Sequence, residues 1–453
     1  MALRRGERRP VRILMIVENC AYLRDPRVRR EAKTLATAGY KIIVIAPDGD
    51  KAFRARESDD GVTVYRFAKL KSSSTVIGHL LEYCLALFAL ATMSAYVFFR
   101  EGFDIVHIAN PPDGLIFIAG ACKILGKPVI YDQHDLCPEL YAVKFGGSHD
   151  RIAKLLLCLE RLSYRLADMV IVTNESYKRQ AITRGGIPES RIAIVRNGPD
   201  RENARNGEVA PEVRIKSPNI LAFGGIIEVQ DGVAELIRAL YALRYTLKRS
   251  DFLCIVMGSG HALADAKALT RSLGLEDNVW FTGWISDREQ YRRYLASADI
   301  CVSPEPANPY NQQSTFVKVM EYMAAGKPIV AFDLCETRVS AEASALYAKP
   351  NDEVEFAMAI VRLMDDPELR RKMGETGQKR IQEKLAWQHS APSLLQAYER
   401  LLCECAGGHY KAPLRPPQEV STIRTESLLS IQVPEDAAVS EQSAETEGGP
   451  RKH

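Results

Sequence analysis

The sequence predicts an α/β protein built from two tandem units, each a doubly wound, Rossmann-like parallel sheet, with a cleft between them. Three observations carry this expectation. Short apolar runs alternate with helix-period segments from Arg12 onward, the pattern of strand–helix–strand units. A polar stretch containing Gly and Asn, residues 200 to 217, then interrupts the alternation as a linker. The alternation resumes at Ile220 and runs to Phe332.

In chain order, Arg12 to Val17 reads as a buried strand, Glu18 to Pro26 as a loop, and Arg27 to Ala38 as a helix stopped by Gly39. Lys41 to Ala46 is the second strand. Asp48-Gly49-Asp50 has the look of a metal-binding Asp-x-Asp, but a plain turn is the simpler reading just after a strand. Val76 to Phe99 is the most apolar stretch and long enough to span a bilayer. His79 and Glu82 interrupt it, so we expect a long helix packed on the sheet, part of it near Lys69, Lys71 and Arg100 lying against a membrane surface. Phe103 to Asn110 and Val129 to Asp132 are strands, with a Pro-Pro-Asp-Gly loop and an apolar helix between them. Leu155 to Leu166 is a helix, and Met169 to Thr173 and Arg191 to Val195 are strands. In the second unit Ile220 to Gly224, Phe252 to Met257, Val279 to Phe281, Ile300 to Ser303 and Ile329 to Phe332 are strands.

The expected organisation is a basic arm (1–10), an N-terminal Rossmann-like unit (11–205) and a C-terminal Rossmann-like unit (215–385). A helix (386–405) packs back toward the N-terminal unit, and a disordered tail (406–453) follows. A net charge of +3 argues against a general nucleic-acid binder. Ten cysteines without a Cys-x-x-Cys pair point to reduced thiols rather than a disulfide framework or a zinc site. The short apolar run near the N-terminus is read as a first strand, not a signal peptide.

Chemistry concentrates at strand ends, where open α/β sheets bind ligands. The stretch NQQSTFVKVMEYMAAGKPIV (311–330) reads as loop, helix, stop and strand. Ser314 and Thr315 are candidate N-caps, Phe316 to Ala325 the helix, and Gly326 its left-handed stop. A helix start with Lys318 and amide donors suits a phosphate-bearing ligand, and Glu321 one turn deeper suits sugar hydroxyls. His134, between Gln133 and Asp135 at a strand end, is the candidate acid–base or donor group. His107 lies inside a strand and reads as structural.

These residues resemble the bacterial glycosyltransferases of family 4, the retaining group with the two-domain GT-B fold. The matching segments are DPRVRREAKTLATAGYKIIVIAP, DIVHIANPPDG, VIYDQHDLCPELY, ADMVIVTNESY, IAIVRNGPD, CIVMGSG, NVWFTGWIS, ADICVSPE and STFVKVMEYMAAGKPIVAFD. The last of them resembles a subgroup carrying Ser-Thr-x-x-Lys-x-x-Glu-Tyr-Met. The resemblance implies sugar transfer from a nucleotide diphosphate donor, with no cofactor and no metal. It implies His134 and Lys318 as catalytic groups, Glu321 on the donor ribose, and Gln313, Ser314, Thr315, Gly224, Gly225, Gly258, Gly283, Trp284 and Ile285 around the donor. Arg338 and Arg196 are further diphosphate candidates, and Asp25, Arg27, Asp113 and Asp135 belong to the acceptor side.

The sequence departs from the family pattern at three positions. Gln313 stands where the first of two spaced glutamates is usual. In GGIIEVQDG, Ile226 and Asp231 stand where an arginine and a lysine are usual. Losing a donor to the leaving group costs about 3 kcal/mol of transition-state stabilisation, and Lys318 is the expected replacement.

The expected function is a retaining, metal-independent transferase moving sugar from a UDP- or GDP-sugar to a lipid-linked or saccharide acceptor in surface polysaccharide or glycoconjugate synthesis. It would work in the cytoplasm, with the membrane surface as a candidate partner and nucleic acid excluded. Two competing expectations are a catalytically silent GT-B protein that regulates a partner enzyme, and a nucleotide-sugar epimerase.

Overall fold

The computed structural model describes residues 9–48, 56–68, 76–146, 150–200 and 207–405. The first arm residues, Gly49, Asp50, Lys69, Lys71, the side chains of His79 and Glu82, part of the linker and the tail from 406 lie outside the described residues.

The strands of the first unit are β1 (Arg12–Ile16), β2 (Lys41–Pro47), β3 (Arg56–Asp59), β4 (Val62–Phe67), β5 (Ile105–Ala109), β6 (Val129–Gln133), β7 (Met169–Val172) and β8 (Ile192–Ile194). They form one sheet in the order β3-β4-β2-β1-β5-β6-β7-β8. All neighbours are parallel except β3, which pairs antiparallel with β4 at the edge. The sequence reading missed β3 and β4: Arg-Glu-Ser-Asp carries no apolar run, and β4 alternates Thr and Arg among its apolar residues.

β1, β5, β6 and β7 are apolar almost throughout because both faces are covered. One face packs Leu90 and Val97 of helix Val76–Arg100, Ile116 and Ala119 of helix Ile116–Ile124, and Tyr164 of helix Asp150–Leu166. The other face packs Val28, Ala32 and Leu35 of helix Pro26–Thr37 together with Leu394, Ala397, Tyr398 and Leu401 of helix Trp387–Cys405.

The second sheet contains β9 (Asn219–Gly224), β10 (Phe252–Met257), β11 (Val279–Gly283), β12 (Ile300–Ser303), β13 (Ile329–Phe332) and β14 (Ala345–Ala348). Its order is β11-β10-β9-β12-β13-β14, all parallel. Helices Val233–Tyr241 and Glu353–Asp365 cover one face. Helices Arg288–Ser297 and Val317–Ala324 cover the other. The architecture is therefore two doubly wound α/β sheets, the GT-B arrangement. Both sheets turn strand carboxyl ends and their loops toward the region where the two halves exchange hydrogen bonds, and those ends position the site.

Candidate active site

β6 ends in Asp132 and Gln133, and His134 is the first residue beyond the strand. Asn110, just past β5, fixes this loop by accepting hydrogen bonds from the backbone N–H groups of His134 (2.7 Å) and Asp135 (3.1 Å). His134 Nε2 lies 2.6 Å from Asp132 Oδ2. Asp132 is itself gripped by Arg27, whose Nη2 and Nε donate to the two carboxylate oxygens at 2.6 and 3.1 Å. Burial pushes the Asp132 carboxyl up, but Arg27 and His134 outweigh it and hold it well below the carboxylate range. His134 thus faces an ionised partner in a fixed orientation.

Three of the expected acceptor-side residues are engaged with partners inside the first unit. Asp25 is the N-cap of helix Pro26–Thr37, accepting from the N–H groups of Arg27 and Val28 at 3.0 Å. Arg27 is buried, and beyond Asp132 it donates to the Val195 carbonyl and to Asn197 Oδ1. Its remaining Nη2 hydrogen faces Glu31 at 3.2 Å. Asp113 is buried and accepts from Tyr131 Oη (2.6 Å) and Asn110 Nδ2 (2.9 Å), which closes its own loop. Each of these polar side chains satisfies backbone or core partners, which a linear sequence does not display. Asp135 does reach the cleft, where it accepts from Tyr310 Oη of the second unit at 2.5 Å.

In the second unit glycines crowd at the ends of β9, β10 and β11. A Cβ on Gly258 would lie 1.9 Å from the Gly225 carbonyl oxygen, so only glycine permits this approach of two loops. One on Gly225 would meet Lys318 Cε at 3.2 Å, which places the lysine against the loop. Gly224 donates its N–H to Tyr322 Oη at 2.8 Å. Gly283 has φ +73° and leads to Trp284, which is exposed, and to half-buried Ile285.

The helix Val317–Ala324 starts later than predicted, with Phe316 at the N-cap and no side-chain cap. Ser314 and Thr315 do not cap it. Ser314 Oγ donates to the Tyr310 carbonyl (2.9 Å), and Thr315 Oγ1 accepts from Asn174 Nδ2 of the first unit (2.9 Å). Gln313 likewise points toward the first unit, accepting from Gln180 Nε2 at 2.6 Å.

Lys318 is buried rather than open at the helix start. Its Nζ lies 2.7 Å from Glu305 and 3.0 Å from Asp231, and 4.4 Å above the Phe223 ring. Burial works against its charge, but the two carboxylates outweigh that and raise its pKa. Asp231, counted in the sequence as a lost cation, is therefore the partner of Lys318. Glu321 sits beside it, accepting from Tyr291 Oη at 3.3 Å, and burial raises its pKa against the pull of Arg30.

The two halves meet through the Asp135–Tyr310 and Asn174–Thr315 bonds and through Glu336, which accepts from Ser176 Oγ at 2.6 Å. Arg196 lies 3.9 Å from Glu336 at this junction. Arg338 instead pairs with Asp333 (2.5 Å), stacks on Tyr347 and faces solvent, so its expected place beside the diphosphate has no support from its contacts.

Two family models match in tandem: "Glycosyltransferase Family 4" over residues 27–203 and "Glycosyl transferases group 1" over residues 217–366. The chain has the GT-B fold, and each of its two halves resembles a glycosyltransferase family. It is similar to an uncharacterised glycosyltransferase of Methanocaldococcus jannaschii, 23% identical over 382 residues, 81% of this chain and 92% of that one. In three dimensions it is similar to sucrose-phosphate synthase from Thermosynechococcus elongatus, with a TM-score of 0.73 at 19% identity over 87% of this chain and 100% of that one. It is also similar to Anabaena HepE in complex with UDP-glucose, with a TM-score of 0.63 at 15% identity over 85% and 99%. At these identities the structural likenesses establish the fold.

In this GT-B protein, sequence reasoning missed four residues around the cleft. Arg30 and Arg288 both pull on the Glu321 carboxyl. Arg30 is the third arginine of a run whose first members could not be told apart without the helix. Glu305 follows the end of β12 and Tyr310 stands in a Pro- and Asn-rich loop, so position after a strand was the available signal. Among the described residues, Glu31, His107 and Asp132 could together reach a metal ion. Arg27 Nη2 already pairs with both carboxylates, 2.6 Å from Asp132 and 3.2 Å from Glu31.

Proposed function

We propose that this GT-B protein is a retaining, metal-independent glycosyltransferase using a UDP- or GDP-sugar. Its acceptor is a lipid-linked or growing saccharide for surface polysaccharide or glycoconjugate synthesis, met in the cytoplasm. The observation that carries the reading is Glu321. It stands between Tyr291, Arg30 and Arg288 beside the glycine loops, while His134, held by Asp132, stands at a strand end of the other unit. Glu321 suits the ribose hydroxyls, and the backbone groups at Gly224, Gly225, Gly258 and Gly283 suit close approach of nucleotide and diphosphate. The UDP-glucose held by the Anabaena neighbour supports a UDP-sugar.

In the proposed reaction the anomeric carbon–oxygen bond to the diphosphate breaks while the acceptor oxygen bonds to the same carbon on the same face. The acceptor proton passes to a departing phosphate oxygen. His134 donates a hydrogen bond to the reacting sugar or the departing phosphate, and Asp132 holds its ring in orientation. Arg30 and Arg288 neutralise the departing charge. Lys318, held by two carboxylates, contributes by ordering Gly225.

A panel of UDP-, GDP-, ADP- and dTDP-sugars in EDTA, with membrane extract as acceptor source, tests this. We expect release of one nucleoside diphosphate. Glu321→Ala should weaken donor binding by about tenfold or more, the loss of hydrogen bonds to a charged group. His134→Ala should slow transfer by about a hundredfold with donor affinity nearly kept. The doubly neutralised Lys318 and the turned-away Gln313 favour one second reading, a silent GT-B protein. Donor binding without release under every condition would establish it.

A further inference from the structure

One face of the first sheet is covered by three helices whose outward sides differ from an ordinary protein surface. From Tyr83 to Phe99 the first of them, Val76–Arg100, contains no charged residue. The window Tyr83–Arg100 is long and apolar enough to cross a membrane, yet only 17% of it is buried. Phe88 is 70% exposed and Phe99 86%; on the adjacent helix Phe117 is 59% and Ile124 88%. Between these two helices lies a cavity of about 670 Å³ lined by Leu87, Ala91, Phe98, Phe103, Ile118 and Cys122 among others. Monomeric soluble proteins rarely expose a contiguous patch of this kind.

The third helix, Asp150–Leu166, supplies the other half of the pattern. Its exposed side chains include Arg151, Lys154, Leu155, Cys158, Arg161 and Arg165. Their spacing puts them on one helical face, opposite buried Glu160, Ser163 and Tyr164. Four are cations, none is an acid, and among the described residues no carboxylate pairs with them. An apolar surface flanked by an uncompensated cationic stripe is complementary to a lipid bilayer with anionic headgroups. Spanning is a poor alternative, because Leu90 and Val97 of the same helix are buried in the core of the sheet and would have to leave it.

We propose that this three-helix face docks onto an anionic bilayer. Phe88, Phe99, Phe117 and Ile124 enter the acyl boundary, and Arg151, Lys154, Arg161 and Arg165 meet the phosphates. A second copy of the chain is a worse occupant, since it would bring four more unpaired cations. The inference stands apart from the transfer reaction: vesicle binding needs neither donor nor turnover.

Flotation of the full chain with phosphatidylcholine vesicles, alone or with phosphatidylglycerol, tests it. The wild type should float with the anionic vesicles, and salt should weaken this binding. Replacing the four cations (Arg151→Gln, Lys154→Gln, Arg161→Gln, Arg165→Gln) should weaken it by about tenfold or more. The triple variant Phe88→Asp, Phe99→Asp, Ile124→Asp should abolish flotation while keeping the wild-type melting temperature, since all three side chains are exposed. The proposal is overturned if the wild type does not float with anionic vesicles at low salt, or if the triple variant floats as well as the wild type. It is equally overturned if the wild type forms a concentration-dependent dimer that the triple variant loses, because a second copy would then be the occupant.

Discussion

Lys318 carries its charge out of water, between Asp231 and Glu305, and replacing it strands two carboxylates in a buried place. Removing one partner of a buried ion pair costs about 3–5 kcal/mol. Lys318→Met should therefore lower the melting temperature by many degrees. The triple variant Lys318→Met, Asp231→Asn, Glu305→Gln should recover much of the loss, since no charge is then left unpaired. Melting curves of the two decide the matter. If Lys318→Met melts like the wild type and loses only turnover, the ammonium acts on the diphosphate and not on the fold. The sequence made Lys318 visible through its place near a helix start, but its partners lie 87 and 13 positions away in the chain, as Asp231 and Glu305. The same limit hid the roles of Asp25, Arg27 and Asp113. The resemblance suggested substrate contacts for them, whereas their partners are an N-terminal helix turn, a buried carboxylate and a loop.

At the scale of elements, most strands that chain reading found are buried on both faces, such as β10 and β12. Their apolar runs have no competing explanation. The polar edge strand β3 was invisible for the converse reason, since an edge strand need not be apolar. Helix Asp150–Leu166 shows what periodicity cannot supply: its Glu160 is buried, accepting from Arg184 (2.7 Å) and Gln133 Nε2 (3.1 Å). Burial pushes this carboxyl up to about 7 against the opposing pull of Arg184. In the unfolded chain it titrates near the usual glutamate value, so between the two the folded protein holds the extra proton. Stability from this group is full below the unfolded pKa and falls as pH rises through about 7. The fall is at most about 3 kcal/mol, from the standard free energy per pKa unit. Melting temperatures between pH 4.5 and 8 should show this decline, and Glu160→Gln should flatten it. An equal slope in the variant would place the titration elsewhere.

Over the whole molecule, the chain closes on itself: after the second unit it returns, and helix Trp387–Cys405 becomes part of the first unit's core. The Trp387 N–H bonds to the Pro199 carbonyl (3.1 Å), its indole donates to Thr34 Oγ1 (2.9 Å), and Tyr398 Oη lies 2.7 Å from His107 Nδ1. His107 is in turn 3.5 Å from Asp132, the carboxylate that orients His134. This helix is thus three contacts, by way of His107 and Asp132, from the candidate catalytic histidine. Leu401 is fully buried on this helix, and Leu401→Ala should cost about 2–5 kcal/mol. Because the side chain packs on the first sheet, hydrogen exchange in the variant should quicken in β7 and β8 and stay unchanged in β9 and β12. Equal loss of protection in all four would mean that the helix fastens the two units into one cooperative body. The closing chain would then set the stability of both sheets at once.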